Sequence, residues 1–416
     1  MSNKTNNLYK SWKELKNNQI LVINCGSSSI KVSLFESDNE VFNRVLDANL
    51  KGINSNDSAL EMTSSNGKEI ILSPDSLDVP NGLKFIFHTI TEKFNFSFNS
   101  LLGVGHRFVH GGNQYSSSVF IDSTIISELE KLSELAPLHN NSCLAGIKEC
   151  CRLFRTVPQA AIFDTAFHHS LPVVASNYAI PRDVSLKYQI KRYGFHGISH
   201  AFLWNTYREY LGECVENSKI ITLHLGNGCS MCAISGGISI DTSMGFTPAE
   251  GLIMGTRAGD IDAAVLEFIC LHDKKTPGEV MEMLNFQSGL LGISGVSSDL
   301  KTLFDIYHKN EGAKLAVDMF CYRIVKYLGA YIAVLGGVEA IIFSGGIGEN
   351  SSIIREQIIS KMDWYGVKLD KKANQLAVEL YPGNMEKIST LDSSTSIYVI
   401  ATDENLFITQ EVQRII

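Results

Sequence analysis

No cluster of Lys and Arg occurs anywhere in this chain, and its formal charge is −8 over 416 residues. A nucleic-acid binder needs a basic patch to displace counterions, so nucleic acid is excluded as a main partner. Long apolar runs are missing too. The longest, Tyr327 to Val338, is interrupted by glycine and stops at Glu339, well short of the roughly 18 residues of a membrane helix. The opening "MSNKTNNLYKSWKELKNN" is polar and holds no apolar h-region, which argues against a secretory signal. Nine cysteines without such a signal are expected to be reduced thiols of a cytoplasmic protein.

Several chemical signatures are absent as well. The P-loop pattern GxxxxGK(S/T) does not occur. Cys229 and Cys232 form C-x-x-C in "GNGCSMCAI", but no second pair completes a zinc site and the surrounding run is strand-like, so they read as buried strand residues. His196 and His200 in "FHGISH" have the spacing of a metal pair but lack the glutamate of HExxH, which disfavours zinc hydrolysis.

What is present is a globular composition, 44% hydrophobic and 19% charged, with length for two or three domains. In "LVINCGSSSIKVSLF", Leu21 to Phe35, a β-branched run meets four small residues and then an alternating run. That reads as strand, tight turn, strand. "IITLHLGNGCSMCAIS", Ile220 to Ser235, repeats the design around Gly226-Asn227-Gly228, which suggests a duplication at domain scale and two related lobes. A third glycine-rich turn, "FSGGIGENSS", leads from a strand over 340–343 into a helix expected to begin near Ser351. The tail is a strand over 397–401 and an amphipathic helix. This βα unit is expected to return to the first lobe, giving lobes of 1–165 plus 386–416 and of 166–385. Strands alternating with helices make the class α/β.

Glycine lets backbone N–H groups approach a ligand, and consecutive N–H groups with serine hydroxyls form an anion nest. Ser27, Ser28, Ser29 and Lys31 suit a phosphate, and so do the amides over 226–228. Arg107 in "GHRFVHGG" and Arg257 in "GTRAGDID" sit in glycine-rich surroundings, where a planar guanidinium can fork onto carboxylate or phosphate. Asp260 is expected to cap the helix after Arg257. Asp164 ends an apolar strand, where either a catalytic acid or a helix cap would fit. His196 lies among aromatics and glycines, and Glu404 in the first turn of the last helix.

Together, "INCGSSSIK", "GHRFVHGG", "APLHN", "FDTAFH", "RYGFHGISH", "HLGNG", "DTSMGFTPAEGLIMGTRAGDID", "SGVSSDLK" and "SGGIGENS" resemble the acetokinase family of the acetate and sugar kinase/heat-shock-70/actin superfamily. The resemblance runs from Ile20 to the C-terminus. It implies two ribonuclease-H-like (actin-like ATPase) lobes with a nucleotide cleft between them, a homodimer, and reversible phosphoryl transfer from ATP to acetate, giving ADP and acetyl phosphate. It also implies Mg²⁺ or Mn²⁺ at Asn24 and Glu404. Asp164, His196, Arg257 and Arg107 match its catalytic positions. Arg107, Val109, Leu138, Phe195 and Pro248 match its acetate pocket. Nucleotide contacts would come from Ser27, Ser29 and Lys31; from His224, Leu225, Gly226, Asn227 and Gly228; from Asp299, Leu300 and Lys301; and from Gly346, Ile347, Gly348, Glu349 and Asn350. His139 falls on a further active-site position.

Four positions depart from the family pattern: Asn141 and Ala263 where proline is usual, Lys301 where arginine is frequent, and Asn405 where a second acid is common. The last leaves Glu404 as the one carboxylate of its motif placed for a metal. Propionate or butyrate phosphorylation is the nearest rival, and Val109 favours the smaller acid. A rival of another class is an actin-like or chaperone-type ATPase, which needs no pair of carboxylate-binding arginines.

Overall fold

The computed structural model of the chain describes residues 9–10, 18–38, 41–73, 76–133, 136–212 and 217–416, without the side chains of 137–139. Two units divide it, Met1–Ala166 with Glu404–Ile416, and Phe167–Asp403.

The first unit is built on strands β1 (Gln19–Cys25), β2 (Ser29–Asp38), β3 (Val41–Lys51), β4 (Ala59–Ser64), β5 (Gly67–Leu72), β6 (Leu101–Phe108), β7 (Val119–Phe120) and β8 (Gln159–Phe163). The second carries β9 (Lys219–Leu225), β10 (Cys229–Ser235), β11 (Ile238–Thr242), β12 (Ala340–Ser344), β13 (Met385–Lys387) and β14 (Ser396–Ile400). The sheet orders are β5-β4-β3-β2-β1-β6-β8-β7 and β11-β10-β9-β12-β14-β13.

One plan underlies both. Three strands run antiparallel, β3-β2-β1 and β11-β10-β9. Two more then add parallel to the last of these, β6 and β8 in one sheet, β12 and β14 in the other. Even the antiparallel edge strands correspond, since β7 and β13 each precede in sequence the strand they flank. This is the ribonuclease-H-like arrangement, present twice. The central strands are covered on both faces, which is why "ILVI", "IITL" and "AIIF" are near-continuous apolar runs rather than alternating ones. The edge strand β5 carries Lys68 and Glu69 on exposed positions, which discourages pairing with another chain.

The C-terminal βα unit corrects an expectation. Its strand β14 pairs with β12 in the second sheet, so 386–403 do not belong with the first unit. Only the helix Glu404–Ile415 does. The reason lies in Gly103 and Gly105 of β6. A Cβ on Gly105 would come within 2.6 Å of Ile408 and Val412, so the bare backbone is what lets this helix lie against the strand. Of the apolar run Tyr327–Val338, the residues up to Leu335 lie inside the helix Glu311–Leu335, and the rest starts at its C-cap Gly336. Among the described residues, no helix is long and apolar enough to cross a membrane.

Candidate active site

In the first unit, β1, β6 and β8 are parallel, and Asn24, Arg107 and Asp164 lie at or just past their C-terminal ends. That is where open α/β sheets gather ligand groups. Arg107 donates from Nε to Asp164 Oδ1 at 2.9 Å and Oδ2 at 3.1 Å, and again from Nη2 to Oδ2. Its Nη1 donates to Asn24 Oδ1 at 3.4 Å. Burial works against the Arg107 charge, but the Asp164 carboxylate, reinforced by Glu404, outweighs it and holds the guanidinium protonated. Asp164 is 1% exposed, and both of its oxygens are engaged by Arg107.

The first turn is closed by Gly26 N–H donating to Ser29 O at 2.8 Å and is propped by Gly52 and Ile53, whose N–H groups donate to Ser28 O. Ser27, Ser28 and Lys31 stay exposed, with Lys31 opposite Asn24 in the β1–β2 register. Val109 is buried. Asn405 donates from Nδ2 to Ser33 Oγ at 2.8 Å, so it turns toward β2. The side chains of Leu138 and His139 lie outside the described residues.

In the second unit, His196 ends a glycine-rich approach in the left-handed region, φ 56°, as the residue before the helix Gly197–Leu211. A non-glycine residue there is strained by about 1 kcal/mol or more. Its Nδ1 lies 2.9 Å from Ser230 Oγ, and its ring packs on that of His224 with centroids 4.4 Å apart. The turn over 226–228 is closed by Gly226 N–H donating to Gly228 O at 3.1 Å, and Gly255 N–H donates to Asn227 O at 3.0 Å. Gly228 marks the focus. A Cβ on it would lie 3.5 Å from His196 Nε2 and 3.7 Å from Arg257 Nη1. Arg257 also donates from Nη1 to Pro248 O at 3.2 Å, and burial lowers its pKa from the ordinary value. Phe195 is buried, and its carbonyl accepts from His168 Nε2 at 3.1 Å.

Beside this focus lies a cavity of about 770 Å³, within the roughly 300–1,000 Å³ usual for ligand sites. Gly226, Asn227, Asp299, Leu300, Lys301, Gly346, Ile347 and Asn350 line it. His224, Leu225, Gly228, Gly348 and Glu349 are not in its wall. Glu349 is turned inward instead: its Oε1 accepts from Gly345 N at 2.9 Å, Ser344 Oγ at 3.2 Å and Thr402 N at 3.0 Å. Ser298, Asp305 and Ser351 also line it, and so do Phe304, Ile353, Val378 and Glu379; these last four were not legible in the sequence, since each lies outside any glycine-rich motif.

Two local expectations are corrected. The glycine-rich stretch is itself a short helix, Gly345–Asn350, rather than a loop, and the helix expected near Ser351 follows it as Ser352–Ile359, capped by Ser351. Gly345, at φ +76°, has no room for a side chain, because a Cβ would meet the Leu225 backbone at 2.7 Å. Asp262, not Asp260, caps the helix Ala263–Asp273 by accepting from Ala264 N. Asp260 accepts from Gly251 N at 2.9 Å and from the Tyr327 hydroxyl. Cys229 and Cys232 are buried on β10, and burial pushes the Cys229 thiol up to about 12 and raises that of Cys232 as well.

Comparison with known proteins agrees with this geometry. The model of the acetokinase family matches residues 19–410. An acetate kinase of Halothermothrix orenii is 43% identical over 402 residues, covering 96% of this chain and 99% of its own. The solved acetate kinase of Porphyromonas gingivalis, 37% identical, superposes with TM-score 0.88 over 96% of this chain and 99% of its own. A propionate kinase from Francisella tularensis, 35% identical, gives TM-score 0.89 over 96% of this chain and all of its own. With its duplicated fold and this density of matching positions, the chain belongs to the acetokinase family.

Proposed function

We propose that this chain catalyses reversible, ATP-dependent phosphorylation of acetate to acetyl phosphate by direct in-line transfer. The observation that carries the reading is the pairing of His196 Nε2 and Arg257 Nη1 around Gly228. Two donors beside a backbone turn suit a phosphoryl group whose charge is spread over several oxygens.

The chemistry asks little else of the protein. A carboxylate with a pKa around 4 to 5 is already ionised at neutral pH and needs no general base. Catalysis then rests on alignment and charge neutralisation around a metaphosphate-like transfer. Arg107 would hold the acid's carboxylate, and Asp164, with both oxygens on Arg107, would aim that guanidinium rather than move a proton. His196 and Arg257 would neutralise the phosphoryl group in flight. Ser27, Ser29, Lys31 and the 224–228 turn would hold the polyphosphate. The cavity by Asp299–Lys301 and Gly346–Asn350 would take the nucleoside.

Asn24 offers an amide oxygen and Glu404 a carboxylate, a sparse set of hard oxygen donors. This fits Mg²⁺, which commonly binds through one or two protein oxygens and keeps the rest of its sphere for water and phosphate. When bound, it would supply charge neutralisation on the phosphates. Val109, Leu138, Phe195 and Pro248 would enclose the methyl group. We place the enzyme in the cytoplasm as a homodimer.

The likeness to a propionate kinase favours propionate as a second, slower substrate. One methylene is worth only about 1–3 kcal/mol of discrimination. ATP-dependent hydroxamate formation from acetate, propionate and butyrate in parallel tests the reading, with acetate expected first. ATP hydrolysis without acyl product would overturn it in favour of an ATPase that drives a conformational cycle.

A further inference from the structure

Behind His196 lies a row of buried polar groups in otherwise apolar strands. Ser230 Oγ is 2.9 Å from His196 Nδ1 and 2.9 Å from His200 Nε2. On its other side, His200 Nδ1 is 2.7 Å from Thr222 Oγ1. Ser230, His200 and Thr222 are all fully buried. Burial, with His168 and His224 nearby, pushes the His200 pKa well below its ordinary value. His200 is therefore neutral, with one N–H and one bare nitrogen.

That single proton gives the row a direction. With the proton on His200 Nε2, that N–H donates to Ser230 Oγ, and the Ser230 hydroxyl donates in turn to His196 Nδ1. Thr222 then donates to His200 Nδ1. His196 is left with its proton on Nε2, the atom beside Gly228. Reversing every bond would require His196 to donate from Nδ1, either baring Nε2 or making the ring an imidazolium. A bare Nε2 would repel a phosphoryl oxygen, which can only accept. The imidazolium is disfavoured by a like charge: the Arg257 guanidinium shares the space at Gly228.

We infer that Thr222, His200 and Ser230 form a directed hydrogen-bond chain that keeps the proton of a neutral His196 on Nε2, and so act as positioning residues for the transfer. The inference rests on the proposed place of His196 at the phosphoryl group.

Solid-state NMR of the whole protein with ring-¹⁵N histidine reads the tautomer independently of turnover, and His196→Gln assigns the His196 signals by difference. The expected result is a neutral Nε2–H tautomer at pH 7 in the parent and in Thr222→Ser. In Thr222→Val, which keeps the shape but loses the hydroxyl, that tautomer should become mixed. Its kcat should fall about tenfold or more with little change in KM, as for other losses of histidine orientation. Ser230→Ala should behave alike. A proton on Nδ1 or a doubly protonated ring in the parent overturns the chain, even if Thr222→Val does not fold. A changed tautomer with unchanged kcat overturns the positioning role. Should the tautomers behave as expected while His196→Gln retains full activity, it is the placement of His196 at the phosphoryl group that fails, and the positioning role with it.

Discussion

Arg107 grips Asp164 through Nε and Nη2 together, with its remaining nitrogen on Asn24. The pair acts as one unit. Arg107→Ala and Asp164→Ala should each lower kcat/KM for acetate about a hundredfold or more, while the double variant should resemble either single one rather than their product. Arg107→Ala should also be less stable to urea than the double variant, because it strands a buried carboxylate at a cost of about 3 kcal/mol or more. Multiplicative losses in kcat/KM would show that the two residues act separately.

Gly228 and Gly345 should respond differently to alanine. At Gly228 the new methyl group meets His196 at 3.4 Å and Arg257 at 3.7 Å, distances that the fold tolerates. It fills the space proposed for the phosphoryl group, so kcat should fall about tenfold or more with Tm unchanged. Gly345→Ala meets backbone at 2.7 Å with φ +76°, and its Tm should fall. Calorimetry and steady-state kinetics on both variants separate the two effects.

Phe304 is the aromatic member of the cavity wall. If the cavity takes the nucleoside, Phe304→Ala loses a stacking surface worth about 1–3 kcal/mol. The KM for ATP should rise at least fivefold or so, with the KM for acetate unmoved. An unchanged KM for ATP would move the nucleoside elsewhere.

His106 and His168 are buried, and burial lowers each pKa to about 4. Between that value and the ordinary 6.5, the unfolded chain binds a proton at each site and the native chain does not. Stability therefore rises with pH across this window; the contribution is complete above about pH 6.5 and is lost as pH falls toward 4, roughly 3 kcal/mol for each residue. Urea unfolding at pH 5 and pH 7 should show this slope. Replacing His168 with asparagine should remove about one proton from it.

The hairpins β1–β2 and β9–β10 were legible because strand period and turn chemistry are local, and glycine and serine between β-branched runs can do little else. The Asp262 cap was missed by two residues because either aspartate satisfies the local rule. Only the packing of Asp260 against Gly251 and Tyr327 decides between them. Thr222 and Ser230 left a faint trace, as polar residues inside "IITLHL" and "CSMCAI", but their partner His200 comes from a helix.

Composition, strand period and glycine placement thus determined the α/β class, the repeated hairpin and the residue types available for phosphate and carboxylate. Tertiary structure alone decided that β14 joins the second sheet while the next helix lies on β6. It also decided that Asp164 faces Arg107 and that His196 and Arg257 meet at Gly228. The physical reason is range. Backbone preference and side-chain period act over a few neighbours. Which edge a strand completes, or which charge a carboxylate meets, depends on groups brought together from distant parts of the chain by burial.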